Sequence, residues 1–217
     1  MFWHLFLAHL VGDYPLQSEW LIENKRSLWG LSLHTAIHLA LMLLVIGAAS
    51  AEVWPKILVL ALIHFLLDLT KSRLFSRWPE QATFHYVADQ MLHILSIFLV
   101  AQWIIRDLHP VLLPGNTTWP IYSIGYLMVT YVWYITERLF TEQDEKYQQE
   151  LEQHFWSRMV TRAVLLTLFL FAGQSLEIAA GAMAFRLPYM AGPYRRRALL
   201  VDIFVSLAIA IFVLLAS

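Results

Sequence analysis

Four pairs of ionisable residues recur in the first hundred positions of the chain, each pair four residues apart: His9 and Asp13 in HLVGD, His34 and His38 in HTAIH, His64 and Asp68 in HFLLD, and Asp89 and His93 in DQMLH. On a helix that spacing puts both members of a pair on one face. Imidazole and carboxylate together form a ligand set for zinc, and also for iron or manganese. The chain has no cysteine, so thiolate sites are excluded and histidine is where metal chemistry must be sought. Eight ligands exceed one tetrahedral site. The expectation is one to three divalent ions, zinc foremost, with a bridging carboxylate between two of them. Two ions a few ångströms apart clamp a phosphoryl group and activate water.

The elements that must position these residues are set by composition. The 217 residues are 59% hydrophobic and 14% charged, against about 45–50% and about 25% in a soluble domain. That is the balance of an integral membrane protein, and a bacterial inner membrane is the expected location. A net charge of −1 gives no bulk basic character for nucleic acid. Residues 1–12 carry neither a basic start nor a small-residue cleavage site, so the mature chain is expected to begin near Met1.

Runs of about 20 apolar residues span a bilayer. Candidates lie near 32–50, 56–75, 86–106, 119–139, 161–184 and 197–216, preceded by a shorter apolar piece, 2–12. The expected fold is an all-α polytopic transmembrane bundle of six or seven membrane segments. Gly12 and Pro15 break the first piece. Residues 16–29 alternate apolar and polar at helical spacing, which predicts an amphipathic helix in the interface with Trp20 and Trp29 at headgroup depth. Residues 141–157 read as a solvated connector. Two parts follow: 1–106, rich in histidine and aspartate with the metal site, and 107–217, C-terminal helices of unassigned role.

Alternating spans bring all four pairs to one membrane face, the side reached after residue 12. That side collects nine basic residues (Lys25, Arg26, Lys71, Arg73, Arg77, Arg138, Lys146, Arg158 and Arg162) against six on the other. The bias makes it the cytoplasmic side. A re-entrant hairpin over 161–194 would strengthen the bias by returning Arg195, Arg196 and Arg197 to it. Ionisable groups in hydrocarbon cost about 2.5–3.5 kcal/mol each and face partners or function. Two other classes account for the same pairs: a divalent-metal transporter or sensor, and a scaffold whose helices are joined by His–Asp hydrogen bonds. A di-iron lipid oxidation site would favour clustered H-x-x-H-H boxes, which the chain lacks.

Around the pairs, Gln17, Asn24, Lys25, Lys71, Arg73 and Gln90 lie near the same face. The lysines and Arg73 fit either an anionic head group or ordinary anchoring. In the enzymatic reading Asp68 or Asp89 bridges metals or acts as base, and Lys71 offsets phosphate charge. His85 stands one turn before Asp89, as a ligand or a surface residue. His4 is expected in the packed interior, and His109 and His154 in loops. Glu137, Glu177 and Asp202 are isolated acids in apolar surroundings, readable as helix-pairing residues. Asn116 opens an NTT sequon. The aromatic segment 119–139 reads as an interfacial belt.

The order LAHLVGDYPLQSEWLIENK, LHTAIH, LIHFLLDLTKSRL, ADQMLHILSI over residues 3–105 resembles the bacterial family known as domain of unknown function 3307. HLVGDYPLQ is also similar to a segment of the zinc-dependent phospholipase C and single-strand nuclease superfamily and of membrane-bound metal-dependent hydrolases. The histidine which that pattern places after GD is replaced here by Tyr14 and Pro15. The second resemblance implies a helical, multi-zinc phosphoesterase with ligands at His9, Asp13, His64 and Asp68, joined by His38, Asp89 and His93. The leading expectation is hydrolysis of a phosphoester, with a lipid or lipid-linked substrate reached from the bilayer as the candidate.

Overall fold

The computed structural model describes residues 1–47, 50–77, 82–107, 116–171 and 193–217, and every regular element among them is helical. The chain divides into two compact units, Met1–Pro120 and Ile121–Ser217.

The first unit is built from α1 (Phe2–Asp13), α2 (Glu19–Asn24), α3 (Leu28–Ile46), α4 (Ser50–Arg77) and α5 (Ala82–Asp107). Helix α1 packs against α3 and α5, and α4 packs between α3 and α5, which closes a four-helix arrangement. Eight of the twelve residues of α1 are buried, His4 and His9 among them. A helix that is apolar nearly all round is one that a bundle encloses.

The other three long helices each bury a stripe at i, i+3 and i, i+4 spacing. On α3 it runs Leu31, His34, His38, Met42, Ile46. On α4 it runs Val53, Ile57, Leu60, His64, Asp68, and on α5 His85, Asp89, His93, Ile97, Ala101, Ile104. Each stripe is polar at one end and apolar at the other. The two halves are stacked, so the histidines and aspartates form one layer and Met42, Ile57, Leu60, Ile97 and Ile104 another. The outward faces carry Leu44, Leu62, Leu66, Leu95, Phe98 and Leu99, all exposed. Apolar residues within and without, with the buried carboxylates confined to one inner layer, is the pattern of helices in lipid.

Local signals set the boundaries. Ser18 and Ser27 accept hydrogen bonds from the backbone N–H groups of Leu21 and Gly30, capping α2 and α3. Gly47, at φ 64°, ends α3 in a conformation that side chains rarely adopt. The span expected at 32–50 therefore runs from Leu28 to Ile46. The amphipathic helix expected over 16–29 is only Glu19–Asn24, because the Ser27 cap starts a new helix that takes Trp29. Leu21 is its buried contact, while Trp20 and Ile22 are exposed.

The second unit holds most of α6 (Thr118–Leu127), then a π-helical turn (Met128–Val132), α7 (Trp133–Phe140), α8 (Glu145–Gln153), α9 (Phe155–Phe171) and α10 (Pro193–Ala216). Its core gathers Val129, Leu166, Val205 and Ala210, with Tyr126 and Trp133 against them. Residues 141–157 are more than a solvated connector: Asp144 caps α8, which buries Tyr147 and Leu151.

Among the described residues four helices are long and apolar enough to cross a membrane: Leu28–Ile46, Ala51–Leu74, Thr83–Asp107 and Arg196–Ala216. That is fewer than the six or seven expected. The apolar piece at 2–12 is enclosed by its neighbours. The segment at 119–139 is divided by its π turn, and α9 has 17 residues. The rest of the span expected at 161–184, the hairpin alternative, Glu177, His109 and Arg186 lie outside the described residues.

Candidate metal centre

The polar layer of the first unit brings all eight of the paired residues together. Asp13, His34, His38 and His64 present ligand atoms within 4.8 Å of one another, and so do His9, His64 and His93, and Asp68, Asp89 and His93. His64 belongs to two groups and His93 to two, so the three groups form one continuous centre. Each helix contributes because its buried stripe places the i and i+4 members on one face, about one turn apart.

The carboxylates bind the layer together. Asp13 Oδ1 lies 3.1 Å from His34 Nε2 and 3.2 Å from His38 Nε2, and its Oδ2 is 3.5 Å from His9 Nε2. Asp68 Oδ2 lies 3.3 Å from His34 Nε2 and 3.6 Å from His64 Nε2, and its Oδ1 is 3.5 Å from His93 Nε2. Asp89 Oδ1 is 3.3 Å from His93 Nε2. The Nδ1 atoms of His64 and His93 face one another at 3.1 Å.

These residues fit a metal site. The Nε2 atoms of His9, His34, His38, His64 and His93, with Asp13 Oδ1 and Asp68 Oδ2, are buried and satisfied by no hydrogen bond. Buried polar atoms left so are costly. Nitrogen and oxygen donors that converge at this separation are what a divalent cation ties together.

A cationic rim surrounds the layer. Lys25 Nζ lies 3.2 Å from Asp68 Oδ2, and Lys71 Nζ 2.6 Å from Asp89 Oδ2. Gln17 accepts a hydrogen bond from Lys25, and Gln90 donates one to Asp89. Lys25 and Lys71 thus turn inward to the carboxylates, so plain anchoring does not describe them. Asn24 caps its own helix by donating to Trp20 O. Tyr14 and Tyr86 share a hydrogen bond of 2.7 Å beside this rim. Burial, and the neighbouring Tyr86 hydroxyl, push the Tyr14 hydroxyl well above its usual pKa, so it stays protonated.

Gly12 makes the packing possible. A Cβ there would stand 2.5 Å from His38 Cε1 and Nε2. His4 is buried outside the three groups, its ring against Trp119. His85 is buried on α5 but joins none of them. His154 pairs with Glu150 at 3.3 Å, and Asn116 accepts a hydrogen bond from the Thr118 N–H.

The second unit holds a charged cluster that the sequence reading did not assemble. Arg158 Nη2 lies 2.8 Å from Glu137 Oε1 and 2.7 Å from Asp202 Oδ1, and Arg162 Nε lies 3.1 Å from Asp202 Oδ1. The Tyr147 hydroxyl donates to Glu137. All five residues are buried. Glu137 and Asp202 are therefore helix-pairing residues, and Arg158 and Arg162 are their partners rather than loop cations. Removing those two from the basic tally leaves seven against six. The signal was present: two arginines four apart at the start of an apolar run, matched by single acids in two other apolar runs.

No curated protein and no solved structure matches the chain. A family model matches residues 1–114, more than half of the chain and the whole of the histidine and aspartate layer. The chain accordingly belongs to the family described as "Protein of unknown function (DUF3307)".

Proposed function

We propose that the first unit is a membrane-embedded, metal-dependent hydrolase acting on a phosphoester. One observation carries this reading: three ligand groups overlap through His64 and His93, so the layer offers adjoining seats to more than one ion. His34, His38, His64 and Asp13 would hold one ion, His9 and His93 would reach toward a second, and Asp68 and Asp89 would join the edge of the set. Divalent ions so held lower the pKa of water and offset phosphoryl charge. The chain's own residues do the rest. Asp68 or Asp89 accepts a proton, and Lys71, with its side chain partly exposed, offers a positive charge to the substrate's phosphate. The apolar layer of Met42, Ile57, Leu60, Ile97 and Ile104 stands behind the centre and keeps water from that side.

That same layer argues against the transport reading. A conducted ion needs polar groups on both sides of its site. Here the buried stripes of α3, α4 and α5 turn wholly apolar beyond His38, His64 and His93 among the described residues. The reading also carries the expectation of zinc as the ion, a bacterial inner membrane as the location and a cytoplasmic-facing site.

The test is hydrolysis by purified, metal-supplemented protein of a panel of phosphomonoesters and phosphodiesters, both lipid and water-soluble, with Asp68→Asn alongside. Metal-dependent turnover that Asp68→Asn abolishes supports the reading. Absence of turnover across the panel by protein that holds its metal contradicts it.

A further inference from the structure

Beside the metal layer, α4 and α5 enclose a cavity of about 420 Å³. That is within the about 300–1,000 Å³ typical of ligand pockets. Its walls come from α4 (Leu67, Thr70, Lys71, Leu74) and α5 (Phe84, His85, Ala88, Leu92). Phe84 is 68% and Leu92 49% exposed, so the groove opens on the face these helices turn to lipid. Its floor is different in kind: Asp89 lines it, and Asp89 is a member of the metal layer, with Oδ1 3.3 Å from His93 and Oδ2 2.6 Å from Lys71. The groove is therefore largely apolar along its walls, with Thr70 and His85 as their polar members, cationic at Lys71, and bordered by Asp89 of the Asp68, Asp89 and His93 group.

We propose that this groove receives an acyl chain of an anionic membrane lipid and so delivers its phosphorylated head group to Lys71 and the adjoining metal layer. The inference deepens the hydrolase reading and rests on it for what happens at the head group, but not for binding. Three features select the occupant. Leu67, Leu74, Phe84, Ala88 and Leu92 make most of the wall and match a hydrocarbon chain, while Thr70 and His85 are too few to hold a sugar or nucleotide. The opening toward lipid admits a ligand laterally, with no need for it to leave the bilayer. The positive end at Lys71 complements a phosphate, and the lysine side chain retains 32% exposure with which to meet it.

The experiment uses the full chain, metal-loaded, in nanodiscs of neutral lipid. The probe is a lysophosphatidic acid with a diazirine at mid-chain, and the same probe with a phosphocholine head is run beside it. After irradiation, adducts are mapped by peptide mass spectrometry in the wild type and in Ala88→Trp, whose ring fills the groove. Labelling concentrated on residues 67–74 and 84–92, at least tenfold weaker with the choline probe and in Ala88→Trp, is the expected result. Labelling spread evenly over the outward faces of α3, α4 and α5, in wild type and variant alike, overturns the proposal. The wild-type map decides this even if Ala88→Trp fails to fold. Covering of the groove by a second copy of the chain, seen as efficient Leu92→Cys disulfide crosslinking with no label, overturns it too. Hydrolysis of a water-soluble phosphomonoester separates the two readings. Activity without groove labelling sinks the groove and leaves the hydrolase. Groove labelling without hydrolysis of any phosphoester sinks the hydrolase and leaves the groove.

Discussion

Gly12→Ala adds one methyl group, and the structure says where it goes. The new Cβ would lie 2.5 Å from His38 Cε1 and Nε2 and 2.9 Å from Nδ1. Favourable carbon contacts need about 3.5–4.0 Å, so something must yield by about 1 Å. The imidazole cannot swing away. It is 1% exposed, with its ring centroid 4.0 Å from that of His64, 4.4 Å from His34 and 5.5 Å from His9. Metal–ligand distances tolerate about ±0.2 Å, so a displacement several times larger removes His38 from its group. The overpacking itself costs about 1–3 kcal/mol. The expected outcome is a metal affinity reduced at least about 10–100-fold, the loss seen when only the supports of ligands are disturbed. Chelator competition followed by elemental analysis reads it. Gly47→Ala is the control. At φ 64° with nothing within 4 Å of its Cβ, it should lose about 1–3 kcal/mol through backbone strain and keep its metal. Unchanged affinity in Gly12→Ala, or equal metal loss in Gly47→Ala, would refute the reasoning.

Other consequences can be checked with the same preparations. Lys71→Met should leave metal content intact and lower kcat/KM for phosphoesters by about 10²–10³-fold, the loss typical of one donor at a developing negative charge. Stripping the ion should lower the melting temperature, since ligand at 1,000 times its Kd contributes about 4.1 kcal/mol. Asp202→Ala leaves Arg158 and Arg162 buried with one carboxylate between them, and should destabilise the chain by about 3–5 kcal/mol in detergent unfolding. Burial, helped by the Glu137 carboxylate, pushes the Tyr147 hydroxyl up to about 12. Its pKa is raised on folding, so stability it contributes is complete below pH about 10 and is lost as pH rises toward about 12. Tyr147→Phe should abolish that alkaline slope.

What could be read in the sequence was what repeats with a helical period. His9/Asp13, His34/His38, His64/Asp68 and Asp89/His93 carry their geometry in their spacing, because a helix fixes which face they share. Their convergence followed from alternating spans of known length. Partners on different helices were another matter. Lys25 and Lys71 looked like anchoring cations, since nothing in a local window shows that a long side chain will bend inward to Asp68 or Asp89. Arg158 and Arg162 looked like loop charges for the same reason: Glu137 stands 21 positions before Arg158 and Asp202 44 after it, and only tertiary packing introduces them. Span counting failed where hydropathy and continuity part company. Residues 2–12 are apolar because the bundle encloses them, and 119–139 is apolar but divided by a π turn. The groove between α4 and α5 could not be read at all, as it depends on how two outward stripes lean together.

The account stands on the polar layer being a metal centre, and elemental analysis of the purified protein tests that most directly. Plasma mass spectrometry would be run on the wild type and on His64→Ala/Asp68→Ala, which removes a residue shared by two ligand groups and one of the two carboxylates of the third. One to three equivalents of zinc, iron or manganese in the wild type, lost in the variant while the helical signal persists, is the predicted result. No metal in either protein after supplementation would contradict the account, and the eight residues would then be a hydrogen-bonded clasp between helices.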